Sequence, residues 1–244
     1  MTGHRGKGSQ APVALHRRDL LAGAGLLATA LVGEEARAAF PAPVTAPAPS
    51  APPVEAMLTL SATEQAFLTA VADAFIPADD LSPSASACGV VTFIDRQLAG
   101  AWGSGARLYR SGPFLKGKPE HGYQLPLTPR DYFAAGIVAV NDWTTAHHGQ
   151  PFDALAPDVQ AGVLHQLEKG EVALDALSSA PFFEALLAIT MEGFFADPIY
   201  GGNRDKAAWR MIGYPGLPAT YAKAITDYHG RRYRAAPKSI ADFL

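Results

Sequence analysis

Residues 193–216 read Gly-Phe-Phe-Ala-Asp-Pro-Ile-Tyr-Gly-Gly-Asn-Arg-Asp-Lys-Ala-Ala-Trp-Arg-Met-Ile-Gly-Tyr-Pro-Gly. An apolar helical run leads in from Pro181. The Asp197-Pro198 step ends it, because a residue that precedes proline is pushed out of the α region. Gly201 and Gly202 then permit a turn that β-carbons would block. Asn203 is placed to N-cap a short helix carrying Trp209 and Ile212. Gly213 suits the position just past that helix, and Pro215 forbids its resumption. The stretch predicts a corner between two helices, with a tight loop between them.

Working outward, the neighbouring segments carry the same period. Phe182, Phe183, Leu186, Leu187, Ile189, Met191, Phe194 and Phe195 surround nearly the whole of the helix that feeds the corner. Such a helix is central in its domain or covered by a partner. Upstream, Pro157 opens a helix with the stripe Val159, Val163 and Leu167, stopped by Gly170. Thr128-Pro129-Arg130-Asp131 is a helix start with cap, N1 proline and acidic N3. That helix carries Phe133, Ile137 and Val140 to about Ala146. His147 and His148 follow it; adjacent histidines diverge on a helix and suit dipole capping better than a metal. Ser61-Ala-Thr-Glu64 is a capping box for a helix on Phe67, Leu68, Val71 and Phe75. A further helix is expected from about Ser84 to Ala99 on Val90, Ile94 and Leu98, with Asp95 and Arg96 as a solvated or interfacial pair. The last helix is expected over about Ala219 to His229, before the basic run Arg231-Arg232-Tyr233-Arg234. No alternating strand pattern occurs, so the fold predicted is all-α. It is a single helical domain of about six or seven helices over residues 60–244.

Between Ala101 and Leu127 periodicity fails, interrupted by five glycines and three prolines. A segment that long without its own structure is uncommon in a compact domain and tends to be functional. It carries Trp102, Tyr109, Phe114 and Tyr123, and a disordered tract would be poor in rings. It reads as an irregular arm packed on its own domain or on a partner, with Trp102 and Tyr109 as anchors.

The N-terminus reads as a targeting segment. Arg17-Arg18 precede the apolar run Leu20–Gly33, and Ala36-Arg37-Ala38 offers a cleavage site, so residues 1–38 are expected to be a twin-arginine signal peptide. That route exports folded proteins, which implies the twin-arginine translocase as a transient partner and a periplasmic destination. Residues 39–59, with six prolines between Phe40 and Val54, read as a Pro/Ala-rich linker. The whole chain has 20 Lys and Arg against 23 Asp and Glu; the leader holds five and three of them, which leaves the mature chain at −5. No basic block suggests nucleic acid. The one cysteine, Cys88, is either a buried thiol or half of an intersubunit bridge.

Chemistry-bearing motifs are missing. There is no G-x-G-x-x-G after a strand, no C-x-x-C-H, no H-E-x-x-H and no G-x-S-x-G. One cysteine can neither attach a c-type haem nor hold an iron–sulfur cluster.

The corner "GFFADPIYGGNRDKAAWRMIGYPG", with "FLTAVADAFIPADDLSP" and "VVTFIDRQLAG" upstream, resembles the gluconate 2-dehydrogenase subunit 3 family. The resemblance runs from about Leu60 to about Tyr221. It implies the small subunit of a membrane-bound periplasmic flavin dehydrogenase, itself non-catalytic and without a cofactor of its own. FAD is expected in a catalytic subunit of the glucose–methanol–choline type, and haem c in a multihaem cytochrome that holds the complex at the inner membrane. The implied work is escorting the catalytic subunit through export and stabilising it. The alternative is a stand-alone helical protein that binds or turns over a small ligand between the corner and the arm.

Two readings of the corner stay open. In one, Asp197 and Asn203 satisfy backbone groups, Gly201 and Gly202 serve the turn, Arg204 pairs with a nearby acid and Trp209 plugs the core. In the other, the loop presents Tyr200 and Arg204, with Asp205, to a partner. A catalytic role for Asp197 or Glu192 stands third.

Overall fold

Capping chemistry and apolar period together set where the helices lie. In the computed structural model, residues 56–244 are described, apart from 116, 119, 120, 176 and 219. The signal peptide, with Arg17 and Arg18, and the linker up to residue 55 lie outside the described residues. Seven α-helices are present among the described residues: α1 Ala62–Phe75, α2 Val90–Ala99, α3 Pro129–His148, α4 Pro157–Glu168, α5 Ser179–Phe195, α6 Ala207–Ile212 and α7 Ala222–Asp227. One two-residue hairpin, β1 Ala173–Leu174 with β2 Leu177–Ser178, pairs antiparallel between α4 and α5. All of them belong to the unit Ala51–Leu244. The fold is all-α, as the patterning predicts. No helix among the described residues is long and apolar enough to cross a membrane.

Helix α5 is the hub. It packs on α1, α2, α4 and α6, and its Phe182 ring meets Tyr132 and Phe133 of α3 at 5.7 and 6.1 Å. Phe182, Leu186, Ile189 and Phe194 face this core. The opposite stripe, Glu184, Leu187, Ala188, Met191 and Glu192, is exposed. Spacings of three and four residues place these five on one face. The helix that the sequence shows as apolar all round is therefore buried along one side only.

Both capping boxes form. Ser61 accepts from the Glu64 N–H and its own N–H donates to the Glu64 carboxylate at 2.7 Å; Thr128 and Asp131 repeat the pattern at the start of α3. Gly149 takes the left-handed conformation and closes α3 at His148. His147 stacks on Trp143 at 4.1 Å, and its Nδ1 lies 2.8 Å from the Trp143 carbonyl, so it belongs to the helix end.

Three expectations are corrected. Helix α2 starts at Val90, not near Ser84, because Gly89 sits at φ 82° and breaks the helical path. Residues 84–88 instead form a turn held by Asp73 of α1, which accepts from the Ser86 N–H at 2.8 Å and its hydroxyl at 2.7 Å. The last helix is shortened to Ala222–Asp227. It has no buried residue, so no apolar face holds its ends, and six residues alone make a marginal helix. Asp95 is not solvated. It is 2% exposed and accepts from the N–H groups of Leu58, Thr59 and Leu60 at 2.6, 2.9 and 2.9 Å. Its neighbours on the stripe, Val91 and Leu98, are buried with it. The segment just before α1 is thereby tied to α2, and the Arg130 guanidinium adds a bond to the Thr59 carbonyl at 3.2 Å.

Cys88 is 1% exposed and lies in the core cluster beside Val90. An intersubunit bridge needs the sulfur at the surface; this position fits the packed thiol. Native protein is expected to leave an aromatic disulfide reagent unreacted, with one equivalent of thiol appearing in denaturant. Rapid reaction of the folded chain would show that Cys88 is accessible.

Candidate functional site

The corner is built as a stack of turns at the end of α5. Asp197 caps a 3-10 turn, Pro198–Tyr200, by accepting from the Ile199 N–H at 3.0 Å. Gly201 follows at φ 101°. Gly202 passes so close to α5 that a β-carbon there would stand 2.0 Å from the Gly193 carbonyl oxygen. Asn203, Asp205 and Lys206 all take positive φ through a second turn, which delivers the chain to α6.

Asn203 is not the N-cap residue of α6; Lys206 occupies that position. Asn203 is wholly buried and works at a distance. Its Nδ2 donates to the Ala196 carbonyl at 2.9 Å, and its Oδ1 accepts from the Ala208 N–H at 2.9 Å. One side chain thus bonds one open carbonyl at the end of α5 and one open N–H in the first turn of α6. Trp209 is buried, with its indole N–H donating to the Phe195 carbonyl at 2.9 Å.

Arg204 pairs with no acid among the described residues. Its N–H donates to the Cys88 carbonyl at 2.8 Å and its guanidinium to the Ala87 carbonyl at 3.2 Å. The corner is therefore latched to the turn before α2, and Arg204 is half-buried. A β-carbon on Gly89 would stand 2.4 Å from the Gly201 carbonyl, so the two turns touch through their backbones. Of the residues suggested for presentation, Tyr200 (51% exposed) and Asp205 reach solvent.

The C-terminal segment, whose role in the corner the sequence reading missed, straps it from outside. Lys238 N–H donates to Pro215, and Leu217 N–H donates to Lys238. Asp197 Oδ2 accepts from the Ile240 N–H at 2.9 Å, and Lys206 meets Asp242 at 2.6 Å. The signal was readable: Ser239-Ile-Ala-Asp242 is a capping box, and it forms. The Lys206 ammonium beside Asp242, with the Ser239 N–H, holds its carboxyl below its ordinary value of 3.8. With the folded pKa depressed, this contribution is present above the unfolded pKa and lost as pH falls through the folded one. The protection factors of the amides at 238–242, taken relative to intrinsic exchange at each pH, are expected to fall as the Asp242 carboxylate is protonated in acid, ahead of the helical core, and Asp242→Asn is expected to show the lower protection at every pH. Equal protection of that segment in wild type and variant would remove the clasp.

Further exposed rings lie on the arm. Trp102 (47% exposed) stands 6.3 Å from Phe133, edge to face, and Tyr109 is 78% exposed. Tyr123 stacks on Tyr132 at 4.0 Å. The arm therefore packs on its own domain through one side of Trp102 and Tyr123 and leaves Tyr109 projecting. A cleft of about 120 Å³ lies between Trp102 and Tyr123 of the arm, Tyr132 and Phe133 of α3, and Ala188 and Glu192 of α5. A second, of about 340 Å³, runs between Tyr109 and Phe114 on one side and Tyr123 on the other. Neither is lined by residues 193–216.

These features define an all-helical protein whose most heavily coded stretch spends Asn203, Arg204 and Trp209 on its own backbone, while Tyr200 in that stretch and Trp102 and Tyr109 in the arm remain exposed. The chain belongs to the gluconate 2-dehydrogenase subunit 3 family, whose model, described as Gluconate 2-dehydrogenase subunit 3, matches residues 62–216. That span takes in α1 through α6 and ends where the corner does. The family name describes one subunit of a multi-subunit dehydrogenase. No curated protein and no solved structure matches the chain.

Proposed function

We propose that this chain is the non-catalytic small subunit of a periplasmic FAD-dependent dehydrogenase of the gluconate 2-dehydrogenase type. It escorts the flavin-bearing subunit through twin-arginine export and stabilises it afterwards. Family membership over residues 62–216 carries the reading. The Arg17-Arg18 leader supports the export half, since that route moves folded cargo and so moves a bound partner with it. Exposed Trp102 and Tyr109 on the arm and Leu187 and Met191 on α5 support the docking half, because aromatic and methionine side chains are enriched at interfaces. FAD and haem c belong to the flavin and cytochrome subunits, and the cytochrome holds the complex at the inner membrane. The residues here fit neither group: a lone buried cysteine cannot make the paired thioether attachment of haem c, and no dinucleotide fingerprint is present.

The test is export. Arg17→Lys with Arg18→Lys is expected to strand both this chain and the flavin subunit in the cytoplasm. Leu187→Asp with Met191→Asp is expected to let this chain reach the periplasm alone. Undiminished periplasmic flavin subunit in the first strain would overturn the escort role. Undiminished co-purification in the second would move the docking face elsewhere.

A further inference from the structure

We infer that the cleft between the arm and α5 binds a single organic cation, an alkylammonium or guanidinium group, enclosed by Trp102, Tyr123, Tyr132 and Phe133 and neutralised by Glu192. The cleft is lined by this chain alone and shares Trp102 with the residues proposed for docking. Four aromatic rings from two segments converge on about 120 Å³, and Glu192 is the charged residue among those that line it. Ring faces carry the negative part of an aromatic quadrupole and attract a cation placed within about 6 Å; Tyr123 and Tyr132 cover one face of each other at 4.0 Å, and half-exposed Trp102 is the ring most open to a ligand. Glu192 has no hydrogen-bond or ion-pair partner among the described residues, although its carboxyl sits at an apolar wall; burial pushes it above its ordinary value. A carboxylate in that position is stabilised by an opposite charge. Burial also pushes the Tyr132 hydroxyl up to about 12, so the floor of the cleft stays neutral in ordinary solution. A sugar acid fits poorly, because it needs several polar partners and the walls beside Glu192 are rings, Ala185, Ala188, Pro129 and Ile189.

The purified mature chain would be titrated with choline, with its uncharged isostere 3,3-dimethylbutan-1-ol, and with N-acetyl-arginine amide, following the Trp102 indole by NMR. At least one cation is expected to shift Trp102 saturably and to bind at least about tenfold tighter than the alcohol. Glu192→Gln is expected to erase that preference, and Trp102→Leu to abolish binding. Both positions are exposed, so unfolding curves that match wild type will confirm that the variants fold. A stronger response to the arginine amide assigns the site to a side chain from another protein; a stronger response to choline assigns it to a free small cation. The inference is overturned if the alcohol matches the cations, if Glu192→Gln keeps the preference, or if neither cation shifts Trp102 at about 0.1 M.

Discussion

Gly202→Ala is expected to cost about 3 kcal/mol or more and to lower Tm by about 6–12 °C. The new β-carbon would stand 2.0 Å from the Gly193 carbonyl oxygen, 2.9 Å from its carbonyl carbon and 3.2 Å from its α-carbon. All three are backbone atoms in the last turn of α5, so no rotamer change relieves the clash. Either the corner lifts off α5 or the helix end gives way. Lifting the corner breaks both Asn203 bonds, the Trp209 indole bond to Phe195 and the Arg204 latch on the turn before α2. Several buried groups then lose partners together, which is why the loss exceeds ordinary overpacking. Gly162→Ala is the matched control. Gly162 is exposed on α4 with nothing within 4 Å of its added carbon, so alanine there is expected to stabilise by about 0.5–1 kcal/mol. Thermal and denaturant unfolding of the two variants decide the matter. A Gly202→Ala protein as stable as wild type would mean that the corner does not bear on α5.

Asp95→Ala is expected to cost about 2–4 kcal/mol, with the loss centred on the segment before α1. Three backbone donors converge on the two carboxylate oxygens: Leu58 on Oδ2, Thr59 and Leu60 on Oδ1. Bonds to an ionised acceptor are about twice as strong as neutral ones. The cost is bounded, because residues 57–60 can peel away and hydrate their N–H groups. Asp95→Asn should fall between: an amide keeps one oxygen for Thr59 and Leu60 but turns an NH₂ toward the Leu58 N–H. Hydrogen exchange at residues 58–60 reads the effect directly. Exchange rates ordered alanine, asparagine, wild type from fastest to slowest are the expected result. Unchanged protection at those amides in the alanine variant would show that Asp95 does not anchor them.

Helix starts were the most legible feature of the sequence, because their code is local. Ser61 with Glu64, and Thr128 with Pro129 and Asp131, need only residues three apart to satisfy the orphaned donors of a first turn, and both sites form. The stops at Gly149, Gly170 and Gly213 are equally local, and each takes the left-handed conformation. Misjudged positions share a different trait, a partner far away in the chain. Asp95 looked like a surface charge because the donors that bury it lie 35 to 37 residues upstream. Arg204 looked free or acid-paired because its carbonyl partner at Ala87 lies 117 residues away. Asn203 was recognised as capping, yet its turn is left-handed and its reach spans two helices.

By itself, then, the sequence determined the helical class, the capped starts and glycine stops, the irregular arm and the family. Each of these depends on periodicity or on residues within a few positions of one another. Tertiary structure decided which chemically suggestive residues are spent inside the fold. Asn203, Arg204 and Trp209 are consumed by backbone groups brought to them by the crossing of α2, α5 and α6, since a buried N–H or C=O must find a partner. It also decided what remains outside: Tyr200, Tyr109, the outer face of α5, and an aromatic cleft holding one unpaired carboxylate. That cleft joins residues from positions 102 to 192, a juxtaposition made by packing rather than by sequence spacing.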